Sequence, residues 1–151
     1  MNQERLDDLE LPSIHSFLHD IFYMERRDMR RELPKVLPLF KDSDVNTREV
    51  AYHAALHILD TLWRLRDREE ISILRDQVVH CYADALGSSS HAIASHALSV
   101  LPDYALQINR TNHADRIYRL AMSVCQRSNV DNTHPALGRA LRQLIHDRLF
   151  I

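Results

Sequence analysis

The chain has 151 residues, of which 45% are hydrophobic and 26% are charged, and its formal net charge is −2 at pH 7. This length predicts one domain with a core that needs no disulfide or metal ion for stability. The small net charge provides no overall attraction for nucleic acid or anionic lipid. Only two glycines are present, which disfavours β-hairpins and favours an all-α fold with short polar loops.

The beginning of the chain is acidic and lacks the basic and apolar regions of a signal peptide. No apolar stretch reaches the length of a membrane span. We therefore expect a soluble intracellular protein, in the nucleus or the cytoplasm, that does not engage a membrane. Cys81 and Cys125 stand in apolar helical patterns without the spacing of a zinc site, which predicts two reduced, buried thiols.

The first third of the chain predicts a flexible end followed by two helices. Residues 1–11 are polar and predict a flexible N-terminal segment, and residues 12–151 predict a single α-helical repeat domain. Apolar residues at helical spacing predict a helix from about Pro12 to Arg31. Pro34 suits the first turn of a second, shorter helix, because proline lacks an amide hydrogen that the first turn does not need.

The longest amphipathic segment runs from Asn46 to Arg66. Asp44 or Asn46 is predicted to cap its first turn with a side-chain oxygen. Its apolar stripe is broad enough to predict neighbouring helices on two sides. The stripe consists of Val50, Ala51, Ala54, Ala55, Ile58, Leu59 and Leu62. Trp63 lies at the edge of this stripe, where it serves either as core or as part of an exposed surface.

Further helices are predicted over residues 70–86, 90–108 and 114–127, with a last helix that begins at Pro135. Gly87 is predicted as a C-terminal cap, and the serines after it as the next N-terminal cap. Pro102 must kink the following helix or split it in two. The residues between the third of these helices and Pro135 predict a loop. The whole pattern predicts about six to seven helices.

A faint internal repeat relates the helices to one another. Residues 50–54 match residues 93–97 when the chain is shifted by 43 positions, the difference between Val50 and Ile93. The same shift aligns residues 94–101 with residues 137–144. The unit is then a helix, a turn and a second helix, and a period in the forties is typical of HEAT and armadillo arrays.

The stretch DVNTREVAYHAALHIL, residues 44–59, resembles the first helix of a HEAT-type unit, with an acidic cap, a polar turn and alanines that lead into leucine and isoleucine. The resemblance implies a right-handed array of antiparallel helix pairs, an α-solenoid. Such arrays commonly act as scaffolds, including in nuclear RNA-processing assemblies. A non-repetitive helical bundle remains the alternative, since amphipathic helices also align by chance.

Catalytic and metal-binding patterns are sparse. His53 and His57 lie four residues apart, as do His15 and His19, and such pairs share a helix face that suits two ligands of one metal ion. His19 and His146 each precede an aspartate, part of the pattern of HD-type metal-dependent hydrolases. The chain has no HExxH, GxSxG or glycine-rich phosphate loop. We therefore expect no enzyme, no cofactor, no metal and no small-molecule substrate.

A basic cluster near the first predicted helix suggests a second kind of partner. It contains Arg26, Arg27, Arg30, Arg31 and Lys35. The acidic residues among them are typical of a solvated helix face with intrahelical ion pairs. The cluster makes RNA binding an alternative to protein binding. The histidine pairs make an HD-like hydrolase a further alternative.

The favoured reading is a protein-interaction scaffold, a segment or subunit of a larger intracellular assembly whose partners are other protein subunits. Of the nineteen lysines and arginines, only Lys35 and Lys41 are lysines, and arginine is enriched at protein interfaces. The predicted partner-binding residues lie on the polar face and edge of the helix predicted from Asn46 to Arg66. They are His53, His57, Asp60, Trp63 and Arg64.

Overall fold

A computed structural model describes Asp20, residues 26–63 and residues 68–150. Within these ranges the fold is all-α: eight α-helices and one 3-10 helix, without a strand. The α-helices are α1 Arg26–Val36, α2 Val45–Trp63, α3 Arg68–Leu86, α4 His91–Ser99, α5 Leu101–Asn109, α6 Ala114–Ser128, α7 Val130–Thr133 and α8 Pro135–Leu149. The flexible segment 1–11 and the start of the first predicted helix lie outside the described residues. The predicted solenoid arrangement stays a prediction.

The chain divides into two compact units, with the boundary inside α3 between Cys81 and Tyr82. In the first unit, α2 packs against α1 and against the 3-10 helix Leu37–Lys41. In the second unit, α6 packs against α4 and α8, and α8 also contacts α5 and α7.

The prediction that Pro34 opens a second helix is wrong, because Pro34 lies inside α1. Its side chain is exposed, so the ring needs no space in the core. Its missing amide costs α1 one hydrogen bond, to the carbonyl four residues earlier, and the helix ends two residues later at Val36. The segment that follows forms the 3-10 helix, with Pro38 in its first turn and Phe40 buried.

Helix α2 is capped as the sequence predicts. The side chain of Asp44 accepts a hydrogen bond from the amide of Thr47 at 3.0 Å and from the Thr47 hydroxyl at 2.9 Å. Every residue of the predicted apolar stripe is buried. Tyr52 widens the buried face, and its ring stacks on Phe40 with the centroids 4.4 Å apart. The small alanines of the stripe let α1 and the 3-10 helix lie close to α2.

An arginine near the start of α2 is buried with its charge. Arg48 is 4% exposed, and its Nη1 donates to the carbonyl oxygens of Asp42 and Ser43 at 2.8 and 3.3 Å. Backbone acceptors thus compensate the desolvation of the guanidinium group. The contact also holds the connection before α2 in place.

Helix α3 begins two residues earlier than predicted, with Glu69 and Glu70 in its first turn. Acidic side chains there are favoured by the positive end of the helix dipole. Gly87 follows the helix as predicted, but its φ is not positive, so it is not a left-handed cap. Its amide instead continues the helical pattern by donating to the carbonyl of Ala83 at 2.9 Å.

The predicted break at Pro102 is confirmed, because α4 and α5 are separate helices joined at Val100. Ser90 caps α4, as predicted, by accepting a hydrogen bond from the amide of Ile93. Two buried tyrosines anchor this region. Tyr82 donates from its hydroxyl to the carbonyl of Ala97 at 2.9 Å, and its ring stacks on Tyr104 with the centroids 5.1 Å apart.

The loop predicted before Pro135 is a short helix instead, α7. Asn129 ends α6 in the left-handed conformation, with φ 51°, and this sharp turn directs the chain into α7. Asn129 therefore forms a left-handed C-terminal cap on α6, the kind of cap that Gly87 does not form on α3. Both α7 and the break at Pro102 raise the number of helices above the predicted six to seven.

Candidate partner-binding surface

The polar strip of α2, defined by His53, His57 and Asp60, lies opposite the buried stripe of the same helix. His53 and Asp60 are exposed and His57 is half-buried. The spacing of four and three residues places all three side chains along one helix face. Of the five predicted partner-binding residues, the structure therefore brings these three together. The side chain of Trp63, and Arg64 as a whole, lie outside the described residues.

Hydrogen bonds within α2 orient the strip. The Nε2 of His53 lies 2.8 Å from Oε1 of Glu49, one turn earlier. The Nε2 of His57 lies 3.5 Å from the hydroxyl of Thr61, one turn later. A partner would meet imidazole rings already held by neighbours on their own helix, together with the exposed carboxylate of Asp60.

The side of α2 opposite the strip is buried. Tyr52 lies next to His53 in the chain and is only 1% exposed. Burial raises the pKa of its phenol, with Glu49 adding to the rise and Arg48 opposing it. The phenol therefore stays protonated at physiological pH, and the underside of α2 carries no tyrosinate charge.

The predicted basic cluster is partly neutralised by carboxylates. Nε of Arg30 lies 3.1 Å from Oε1 of Glu70 on α3, and Nζ of Lys35 lies 3.2 Å from Oε1 of Glu32. Arg31 is exposed. The side chains of Arg26 and Arg27 fall outside the described part of the molecule. Two of the five predicted cations thus have acidic neighbours that lower the positive potential available to a phosphate.

The histidine and cysteine patterns do not assemble into a metal centre in the described ranges, where no three His, Cys, Asp or Glu side chains are grouped for an ion. His146 of the HD pattern lies on α8, with Nδ1 3.8 Å from Oδ1 of its neighbour Asp147 and its ring against Phe150. Cys81 and Cys125 are half-buried rather than fully buried as predicted. Burial, reinforced by Asp131 and opposed by Arg142, raises the pKa of Cys125 to about 11.

A surface cleft of about 500 Å³ lies in the second unit, between α4 on one side and the segment from the end of α6 through α7 to the start of α8 on the other. Its imidazoles come from His91, His96 and His134. Its hydroxyls come from Ser95, Ser99, Ser128 and Thr133. Its apolar wall is formed by Leu98, Val130 and Leu137. We call this feature the α4 cleft.

One serine of the α4 cleft has a histidine neighbour, the arrangement from which nucleophilic catalysis begins. The hydroxyl of Ser95 lies 3.3 Å from Nε2 of His91 and 3.2 Å from the hydroxyl of Ser128. Ser95 and His91 lie one turn apart on the same helix. Side chains at this spacing commonly form a local hydrogen bond that has no catalytic role. The contact with Ser128 instead identifies Ser95 as a link between α4 and the end of α6.

The α4 cleft could not be predicted from the sequence because its residues are scattered over four helices and the residue between α7 and α8. The available signal was the series His91, Ser95 and Ser99, whose spacing of four residues places imidazole and hydroxyl groups on one face of α4. The opposite wall depends on α7, which the sequence predicts as a loop. Only the fold brings Val130 and Thr133 to face α4.

None of the helices in the described ranges is both long enough and apolar enough to cross a membrane. No protein-family model, no curated protein and no solved structure matches the chain.

Proposed function

We propose that this chain is a protein-interaction module that contacts a partner subunit through the polar strip of α2. The observation that carries the proposal is the contrast between the two faces of that helix. One face is buried in the first unit from Val50 to Leu62, while the other presents His53 and Asp60 to solvent. A partner therefore meets side chains on a helix whose position is already fixed, which reduces the entropy lost on binding.

The chemistry of the strip suits a polar partner surface that carries a cation. Asp60 contributes an exposed carboxylate, and the ring of His53 lies against the carboxylate of Glu49. Arginine is the cation most often enriched at protein interfaces, and it binds carboxylates in a forked geometry. We propose an arginine-containing surface of another protein subunit as the contact of the strip.

We also propose that the module forms part of a larger intracellular assembly, in the nucleus or the cytoplasm, built on a HEAT-like or armadillo-like helical array. The helix pairs of the sequence and the resemblance of residues 44–59 to a HEAT-type first helix support this proposal. In such arrays one set of helices presents an extended binding surface.

The test compares two charge reversals on exposed aspartates of the first unit. Asp60→Lys alters the strip, whereas Asp76→Lys alters α3 and serves as the matched control. Tagged full-length chain is used to retain partners from lysate at low salt, with cross-linking mass spectrometry to locate the contact. We expect Asp60→Lys to reduce the retained partner at least about tenfold, a loss equivalent to 1.4 kcal/mol, while Asp76→Lys retains the wild-type amount.

Equal retention by both variants, or cross-links confined to other helices, would overturn the proposal. Treatment of the lysate with ribonuclease distinguishes the RNA alternative. If ribonuclease removes the retained material and reversal of Arg31 to Glu does the same, the chain binds RNA through the basic cluster, and the α2 proposal fails.

A further inference from the structure

The α4 cleft is built by specific local contacts rather than left over between loosely packed helices. Ser90 caps the N-terminus of α4, and the contact between the hydroxyls of Ser95 and Ser128, at 3.2 Å, ties α4 to the end of α6. The left-handed turn at Asn129 then directs α7 toward α8. Close contact between these two helices is possible because Gly138 has no side chain facing Asp131.

The side chains that line the cleft can carry positive charge but no negative charge. Its ten lining residues include three histidines and four hydroxyl-bearing residues, and none of them is Asp, Glu, Lys or Arg. An imidazole ring is either neutral or positively charged, and a hydroxyl is neutral at physiological pH. The lining therefore never becomes negative, which disfavours a cationic ligand and favours a neutral or anionic one.

Charged side chains on the surrounding elements do not reverse this preference. Asp131, on α7 beside the cleft, is engaged by the guanidinium group of Arg142 from α8. Arg127 directly precedes the lining residue Ser128 and adds positive charge at the end of α6. Helix α4 itself contains no Asp, Glu, Lys or Arg.

The apolar wall indicates that the ligand also has a hydrocarbon part. Leu98 and Val130 are 1% and 4% exposed, and Leu137 is half-buried, so they present the edge of the core to the cleft. A volume of about 500 Å³ lies within the range of clefts that hold small organic molecules. Both walls of the cleft combine polar and aliphatic side chains, a mixture that suits a ligand with a polar and an apolar part.

We propose that the α4 cleft binds a small amphiphilic monocarboxylate. Its head group accepts hydrogen bonds from the imidazole groups that line the cleft, and its alkyl chain packs against Leu98, Val130 and Leu137. Each carboxylate oxygen accepts more than one hydrogen bond, which matches a lining with three imidazole groups. The site is independent of the polar strip of α2, so either proposal stands or fails without the other.

The test uses three probes with the same alkyl chain and different head groups: octanoate, octan-1-ol and octylammonium. Binding to the full chain is measured by NMR, from the chemical-shift changes of the histidine ring protons. We expect saturable shifts with octanoate at His91 and His134. The dissociation constant for octylammonium should be at least about tenfold higher, because the lining offers it no negative group. Octan-1-ol should bind with intermediate strength.

Two exposed helical serines provide a blocking variant and its control. The hydroxyl of Ser99 donates to the carbonyl of His96 and lines the cleft, while that of Ser123 donates to the carbonyl of Arg119 and lies away from it. We expect Ser99→Phe to abolish the octanoate shifts and Ser123→Phe to preserve them. Circular dichroism melting of both variants establishes that each is folded.

Three outcomes would overturn the proposal. The first is the absence of saturable shifts with octanoate, and the second is binding of octylammonium as tight as that of octanoate. The third is an equal effect of both phenylalanine variants on octanoate binding while both remain folded. None of these results bears on retention of a protein partner by α2, so failure here is distinguishable from failure of the proposed function.

Discussion

Helix α2 and the pair α4–α5 correspond in the repeat alignment, yet their backbones differ. Helix α2 runs through 19 residues without interruption, whereas its counterpart divides into two helices of nine residues each. Near Pro102 the amides of Asp103 and Tyr104 both donate to the carbonyl of Val100, at 3.0 and 3.2 Å. A similar apolar pattern thus gives one helix or two, according to whether a proline removes a backbone donor.

The exposed faces of these regions differ as well. In α2 the exposed face is a polar strip opposite a broad buried stripe. In α4, His91, Ser95 and Ser99 face α7 and the start of α8, and the α4 cleft results. The shift of 43 positions aligns these three residues with Arg48, Tyr52 and Leu56 rather than with the polar strip. Two segments related by the repeat alignment therefore differ in structure: one presents a polar helix face and the other lines a cleft.

The largest expected effect comes from placing a proline in the uninterrupted helix. His53 is exposed in the interior of α2, so His53→Pro removes an amide hydrogen bond and introduces a clash with the preceding turn, without removing core volume. We expect the free energy of unfolding to fall by about 3 kcal/mol or more, measured by urea denaturation. The control His53→Ala should change it by no more than about 0.5 kcal/mol. Equal midpoints for the two variants would show that α2 does not depend on its continuity.

The next effect concerns the wall of the α4 cleft. A methyl group on Gly138 would lie 2.6 Å from Oδ1 and 3.3 Å from Cα of Asp131, so Gly138→Ala requires the Asp131 side chain to leave its contact with Arg142 or α7 to shift slightly. We expect a loss of about 1–3 kcal/mol in the free energy of unfolding, the usual cost of overpacking.

Gly87→Ala provides the matched control. Its added methyl group would meet only ordinary contacts, at 3.4 Å from the Ala83 carbonyl and 3.5 Å from Leu120, and its φ is not positive. Alanine there should leave stability unchanged or raise it by up to about 1 kcal/mol. A Gly138→Ala protein as stable as the Gly87→Ala protein would contradict the close contact of α7 and α8.

The smallest effect is expected from removing the proline that separates α4 from α5. Pro102 is exposed, and Pro102→Ala restores an amide that can donate to the carbonyl of Leu98. The added hydrogen bond contributes about 0.5–1.5 kcal/mol, and the greater freedom of the unfolded chain offsets about 0.4–1 kcal/mol. We expect a net change below about 1 kcal/mol, together with hydrogen-exchange protection of the new amide. Exchange at the rate of an unprotected amide would mean that packing, rather than proline, maintains the break.

Some features could be predicted from the sequence because they depend on interactions between nearby residues. The caps at Asp44 and Ser90, the start of α8 at Pro135, the break at Pro102 and the buried stripe of α2 each depend on residues within about one helical turn of one another. The prediction that Pro34 opens a helix was wrong, because the effect of a proline depends on its place within the whole helix. Its exposed position near the end of α1 allows the helix to include it.

The sequence by itself determined that this protein is helical, where its strongest helices lie and which face of α2 is buried, because helix periodicity, capping and the missing amide of proline act locally. Only the tertiary structure decided that Glu70 neutralises Arg30, that α7 forms after the left-handed turn at Asn129, and that residues of α4, α7 and α8 enclose a cleft. These features join side chains far apart in the chain. Their positions follow from the packing of whole helices against one another, which local periodicity does not specify.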